Sequence, residues 1–198
     1  MKTGSGGNAA LIVVDMLNDF VLPGAPLEVP ETRKIVPALR RRIGRARRSG
    51  ELVVYVCDAH RKKDPEFARM GWPPHGVEGT PGAAVVSALS PAPGDVVVEK
   101  RTYFGFHKTA LDAVLRGKGI RKLTLAGCVT NICILYISAE AAVRGYDVTV
   151  DERHVAGLSP DNHAFALDQM EKVLGVRVIR RPGKAVRRRS SRPRGSRR

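Results

Sequence analysis

Residues able to do chemistry are spread along the whole chain, and their types matter more than their spacing. Cys133 lies in "LAGCVTNICIL" (125–135), behind an apolar run that ends at Gly127 and ahead of a helix-like pattern. A thiol has a pKa near ~8.5 and is mostly neutral at physiological pH. A helix start and a nearby ammonium both favour the thiolate. A carboxylate can take the thiol proton and return it to a leaving group. Asp15, at the end of "ALIVVD" (10–15), is a candidate for that carboxylate, and Lys100, at the end of "DVVVEK" (95–100), for the ammonium. Each has a plain alternative: Asp15 as a turn or helix cap, Lys100 as a solvated lysine, and both Cys128 and Cys133 as packing. All of these would have to coincide at one place for the plain readings to hold together. Cys133 is therefore read as a nucleophile and Cys128 as scaffold.

A second group lies in "CDAHRKKDPEFARMGWPPHGVEGTPGA" (57–83). Asp58 and His60 are two apart, so on an extended chain they point the same way. His75 follows in a loop stiffened by Pro73 and Pro74. Two imidazoles and a carboxylate suit Zn²⁺, Fe²⁺ or Mn²⁺ and leave positions for water or substrate. Asp64 and Glu66 offer a further oxygen ligand. The same histidines also fit an exposed loop. His107, His154 and His163 lack such companions and read as structural or surface residues.

The elements that must carry these groups follow from pattern. Strands are expected at 10–15, 52–58, 95–100, 122–127, 146–151 and 176–179. Helices are expected at 32–50, 109–119, 131–145 and 160–174. Continuous apolar strands separated by helices imply a parallel sheet covered on both faces. The expected fold is α/β, a Rossmann-like three-layer sandwich. Ligands in such sheets bind beyond the carboxyl ends of the strands, which is where Asp15, Asp58, Lys100 and Cys133 fall. The first strand is followed by no G-x-G-x-x-G, and the chain has no P-loop, so a dinucleotide role has little support.

Length and composition frame this. The 198 residues, 43% hydrophobic, suit one domain with a sizeable core. No apolar stretch could span a bilayer, and "MKTGSGGNAA" has no secretory apolar region, so a cytoplasmic protein without a membrane role is expected. Three cysteines make no disulfide framework in that setting. The net charge of +15 is concentrated at one end: from Arg180 onward, ten Lys/Arg meet no acid. The expected organisation is a flexible lead (1–9), a catalytic domain (10–180) and a basic, disordered tail (181–198). No aromatic residue interleaves the tail's arginines, so it is read as a solvated segment with non-specific affinity for polyanions rather than a dedicated nucleic-acid module.

The pieces "ALIVVDMLNDF", D-x-H, "WPPHGVEGTPGA", "EKRTYFGF" and "GCVTNIC", in that order, resemble the isochorismatase-like cysteine hydrolases, and among them the nicotinamidases/pyrazinamidases most. The resemblance runs from about residue 10 to 180. It implies a six-stranded parallel sheet flanked by helices and a triad of Asp15, Lys100 and Cys133. It also implies a non-proline cis peptide between Cys128 and Val129, with the backbone N–H groups of Val129 and Cys133 as the oxyanion hole. Asp58, His60 and His75 would bind one divalent ion, zinc first and iron or manganese after it, which holds the substrate's ring nitrogen. Phe20 and Trp72 would grip the ring, with Tyr103 beside them. Where some nicotinamidases carry an extra histidine ligand, this chain offers Asp64 or Glu66. The implied activity is conversion of nicotinamide to nicotinate and ammonia through a cysteine thioester, with self-association into a homo-oligomer. The alternative is another cysteine amidase of this superfamily, acting on a ureido, lactam or streptothricin-type substrate. A nucleic-acid-binding protein on a degenerate hydrolase scaffold is a third class, and the intact triad speaks against it.

Overall fold

The structure, a computed structural model, describes residues 7–181. The first six residues of the expected lead, and the basic tail beyond Arg181, lie outside the described residues. Within them, six strands form one parallel sheet in the order β3-β2-β1-β4-β5-β6. The strands are β1 (Ala9–Val14), β2 (Leu52–Asp58), β3 (Val96–Lys100), β4 (Lys122–Cys128), β5 (Asp147–Ala156) and β6 (Arg177–Ile179). The helices are α1 (Asn18–Val21), α2 (Glu31–Ser49), α3 (Pro65–Met70), α4 (Leu111–Gly117), α5 (Leu135–Val143) and α6 (Pro160–Lys172).

Side chains alternate across a strand, so β1 feeds two cores. Leu11 and Val13 pack with Ile35, Leu39, Ile43 and Ala46 of α2. Ala10, Ile12 and Val14 pack on the other face with Leu111 and Leu115 of α4, Ile137 of α5 and Leu167 of α6. Both faces of β1 are covered, which is why it reads as an unbroken apolar run. The apolar residues of α2 recur at Ile35, Leu39, Ile43 and Ala46, the helical spacing that makes one buried stripe. Gly50 ends the helix at φ 72°, a left-handed position that glycine takes freely.

Two expectations are corrected. β5 does not stop at residue 151 but runs to Ala156. Its register against β4 shifts between Leu125 and Gly127, and Arg153 bonds back to the Asp151 carboxylate there. The polar stretch at the bulge hid the second half of the strand. The helix expected from 131 begins instead as a wide π-type turn, Thr130–Ile134, and becomes α-helical at Leu135. No helix among the described residues is long and apolar enough to cross a membrane.

Candidate active site

The strand order places β1 between β2 and β4, and the connections from β1 and β4 leave a crevice at their carboxyl ends. Asp15 follows β1 directly, at φ 51°. A non-glycine residue in the left-handed region is uncommon and concentrates at functional sites. Here the conformation lets Asp15 Oδ1 accept the Asp58 N–H at 2.8 Å. Gly127 brings β4 close to the same spot. At φ 114°, a Cβ there would run into the Val14 carbonyl, so only glycine permits this approach. The Cys128–Val129 peptide bond is cis, and the π-type turn then swings Cys133 into the crevice.

Lys100 ends β3 and is 1% exposed. Its Nζ lies 2.8 Å from Asp15 Oδ2, in hydrogen-bond contact with Asp58 Oδ1, and 3.5 Å from Cys133 Sγ. Burial disfavours its charge, but Asp15 and Asp58 outweigh that and hold it as the ammonium. A carboxylate oxygen has two lone pairs, so the contact with Lys100 leaves Asp15 Oδ2 an acceptor position. The Cys133 thiol meets that carboxylate. Burial, and then the charge of Asp58, raise the Asp15 carboxyl to about 6. Burial pushes the Cys133 thiol well up, and Lys100 offsets only part of that. Lys100 acts in the expected direction, toward the thiolate, while burial and the neighbouring carboxylates act against it. The arrangement suits a thiol that gives its proton to Asp15 as it attacks. Cys128 is fully buried and donates to the Asp15 carbonyl at 3.0 Å.

Asp58, His60 and His75 come together as well, with all three side chains buried and their candidate ligand atoms within 4.8 Å of one another. Each imidazole has its far nitrogen occupied. His60 Nδ1 lies 3.2 Å from Asp64 Oδ2, and His75 Nδ1 lies 2.8 Å from the Pro73 carbonyl. Such outer contacts fix ring orientation in metal sites, and His60 Nε2 lies 3.7 Å from Asp58 Oδ1. The donor set of two nitrogens and a carboxylate oxygen fits a divalent ion of the zinc, iron or manganese kind. Burial lifts the Asp58 carboxyl, but Lys100 and His60 prevail and hold it at about 2. Burial lowers His60, whereas Asp58 and Asp64 carry it up to about 9. Asp64 orients His60 and caps α3 by accepting the Glu66 N–H at 3.0 Å, and His60, Asp64 and Glu66 also lie close enough together to form a second candidate ligand group. Glu66, 6% exposed, faces the cavity.

One cavity of about 110 Å³ joins the two groups. Cys133, Val129, His75, Phe20, Trp72 and Tyr103 are among its lining residues. A cavity of roughly 150 Å³ holds a benzene, so this is space for one small ring. The Phe20 and Trp72 rings lie 5.5 Å and 5.8 Å from the His75 ring. Tyr103 stands 6.3 Å from Trp72, with its hydroxyl on the side of Glu66 and Arg69. Of the residues expected at the site, Lys100 and His60 stand behind Asp15 and Asp58, Asp64 stands behind His60, and the others line the cavity.

Several contributors escaped the sequence reading. Asp19 accepts the Gly76 N–H at 2.9 Å and ties down the loop that carries His75. Phe67 lies 5.2 Å from His60 and 5.1 Å from His75. Tyr136 stacks on Tyr103 at 6.0 Å. Asp64, expected as an oxygen ligand, also caps α3, a role with a legible signal because an Asp directly before Pro65 is a helix start. His163, read as lacking companions, lies 2.9 Å from Thr130.

The sequence pattern of the isochorismatase domain matches residues 9–181. An isochorismatase family protein, PncA, of Bacillus subtilis is 33% identical over 85% of this chain and 97% of its own. The crystal structure of N-carbamoylsarcosine amidase from Thermoplasma acidophilum is 38% identical, with a TM-score of 0.79 over 87% of this chain and 96% of its own. That of the pyrazinamidase of Pyrococcus horikoshii in complex with zinc is 32% identical, with a TM-score of 0.82 over 88% and 99%.

Proposed function

The chain belongs to the isochorismatase family, and from that premise we propose that it is a cysteine amidohydrolase converting nicotinamide and water to nicotinate and ammonia. What carries the reading is the sharing of one small cavity by Cys133 and the Asp58, His60, His75 set. A thiol beside a carboxylate serves amide hydrolysis in general. A cation site facing the same ring-sized space serves a substrate whose ring bears a donor nitrogen. The zinc complex of the Pyrococcus pyrazinamidase supports the same reading.

Asp15 takes the Cys133 proton as Sγ attacks the carboxamide carbon. The charge on the carbonyl oxygen is received by the backbone N–H groups of Val129 and Cys133. Lys100 keeps Asp15 and Asp58 from repelling each other and lowers the cost of negative charge on sulfur. As the C–N bond breaks, Asp15 returns the proton to nitrogen and ammonia leaves. Asp15 then takes a proton from water, whose oxygen attacks the thioester carbon. The C–S bond breaks, Asp15 returns its proton to Sγ, and nicotinic acid departs, losing its own proton to ammonia or solvent to become nicotinate. A divalent ion held by Asp58, His60 and His75 would supply a coordination position for the ring nitrogen. Phe20 and Trp72 would hold the ring between them.

The test is ammonia release from nicotinamide, pyrazinamide and benzamide by purified protein. Benzamide lacks the ring nitrogen and should be a far poorer substrate. Equal turnover of benzamide and nicotinamide would overturn the ring-nitrogen reading and leave the cysteine amidase. A second reading, hydrolysis of a ureido amide, has its own support. Glu66 places a buried carboxylate in the cavity wall, where it could accept from N–H groups that a pyridine ring lacks. The 38% identity to the N-carbamoylsarcosine amidase points the same way. A carbamoyl amine in the same assay separates the two.

A further inference from the structure

The turn that carries Cys133 is held from behind by the segment that follows β5. Thr130 opens the turn and is fully buried. Its hydroxyl lies 2.9 Å from Nδ1 of His163, on α6. Asn131, next in the turn, accepts the Leu158 N–H with its Oδ1 at 3.4 Å. The turn closes on itself where the Val129 carbonyl accepts from the N–H groups of Ile132 and Ile134, at 3.0 and 3.2 Å. Gly157 makes the outer grip possible, because a Cβ there would stand 2.8 Å from His163 Cβ. On the far side of the imidazole, Nε2 lies 3.8 Å from Glu152 Oε1. That carboxylate is itself held by the Arg181 N–H at 2.9 Å. The Thr130 hydroxyl can donate to Nδ1 or accept from it, so the contact holds with either imidazole tautomer.

Resting on the thioester reading above, we propose that His163 is a positioning residue for the nucleophile turn, acting through the Thr130 hydroxyl. It touches neither substrate nor Cys133. It fixes the residue between Val129, whose N–H faces the oxyanion, and the coil that ends in Cys133. Reacting groups displaced by about 1 Å can lose about a hundredfold in rate, so a tether of this kind acts on the chemical step more than on substrate binding. Glu152, Gly157 and Leu158 complete the tether from β5 and the loop after it.

The experiment uses the full chain with His163→Ala, His163→Asn, Thr130→Val and the His163→Ala/Thr130→Val double variant. In His163→Ala, kcat should fall about ten- to a hundredfold while KM stays within about twofold. Asparagine can present its side-chain oxygen near the position of Nδ1, so His163→Asn should recover most of the rate. Thr130→Val should reproduce the loss, and the double variant should be no worse than either single one. Amide hydrogen exchange gives a readout independent of substrate: protection at Ile132 and Ile134 should drop in His163→Ala and return in His163→Asn. If nicotinamide is not the substrate, exchange still decides, and unchanged protection overturns the proposal. An unchanged kcat in folded His163→Ala, or additive losses in the double variant, would also overturn it. Should His163→Ala fail to fold, Thr130→Val and His163→Asn carry the same comparison.

Discussion

At the scale of single residues, the two buried cysteines near the crevice are distinguished by what they face. Cys133 faces Asp15 and Lys100, whereas Cys128 donates to a backbone carbonyl. Cys133→Ala should abolish turnover with the fold intact. Cys128→Ala should cost about 1 kcal/mol of stability for the lost hydrogen bond and keep most activity, as a denaturant melt and an ammonia assay would show. Comparable loss of activity in both folded variants would remove the distinction. Burial raises the Cys133 thiol, so iodoacetamide at neutral pH should alkylate it more slowly than a free thiol. Lys100→Met should slow that further, since it removes the charge that opposes the shift. Trp72 belongs to recognition. A ring stack contributes about 0.5–1.5 kcal/mol beyond area burial, so Trp72→Ala should raise KM about 2- to 13-fold and leave kcat nearly unchanged. A fall in kcat at constant KM would place Trp72 in the chemistry instead.

At the scale of elements, the approach of β4 to β1 decides whether the triad exists. Gly127 sits at φ 114° with no room for a Cβ beside Val14. Gly127→Ala should unfold the protein or shift Asp15 from Cys133, with soluble yield, circular dichroism and ammonia release as readouts. A well-folded, fully active variant would show that the strands can separate without cost. Much of this scale was legible beforehand. The central strands are buried on both faces and so read as apolar runs, and α2 announces itself by its apolar stripe and its terminal Gly50. Other parts were not legible. The φ of Asp15 follows from the tertiary bond to the Asp58 N–H, which no local pattern encodes. The π-type turn at Thr130–Ile134 packs against His163, 33 residues away from Thr130, a contact that no local pattern encodes. The second half of β5 is polar at its bulge. α1 and α3, four and six residues long, are too short to show a period. Candidate site residues are more legible in a sequence than the residues that support them, because chemistry restricts the type of a nucleophile or ligand but not of its neighbour.

At the scale of the whole molecule, the described residues make one sheet whose loops converge on one end. A divalent ion should accompany the purified protein at about one per chain, measured by elemental analysis. His75→Ala and His60→Ala should lose it, and Asp64→Ala should bind it about 10- to 100-fold more weakly through the lost grip on His60. Full activity in strong chelator, with no metal detected, would end the metal-dependent reading and leave the thioester chemistry standing.

The order β3-β2-β1-β4-β5-β6 separates two tasks along the chain. Asp15 and Cys133 come from the central strands β1 and β4, while His60, Trp72 and His75 all ride on the single connection between β2 and β3. On the reading proposed above, the groups that would act on the amide and most of those that would select it lie in different stretches of sequence, with Phe20 and Tyr103 the exceptions among the cavity residues. Changes within residues 59–95 would then alter the selection of a substrate before they alter the reaction done on it.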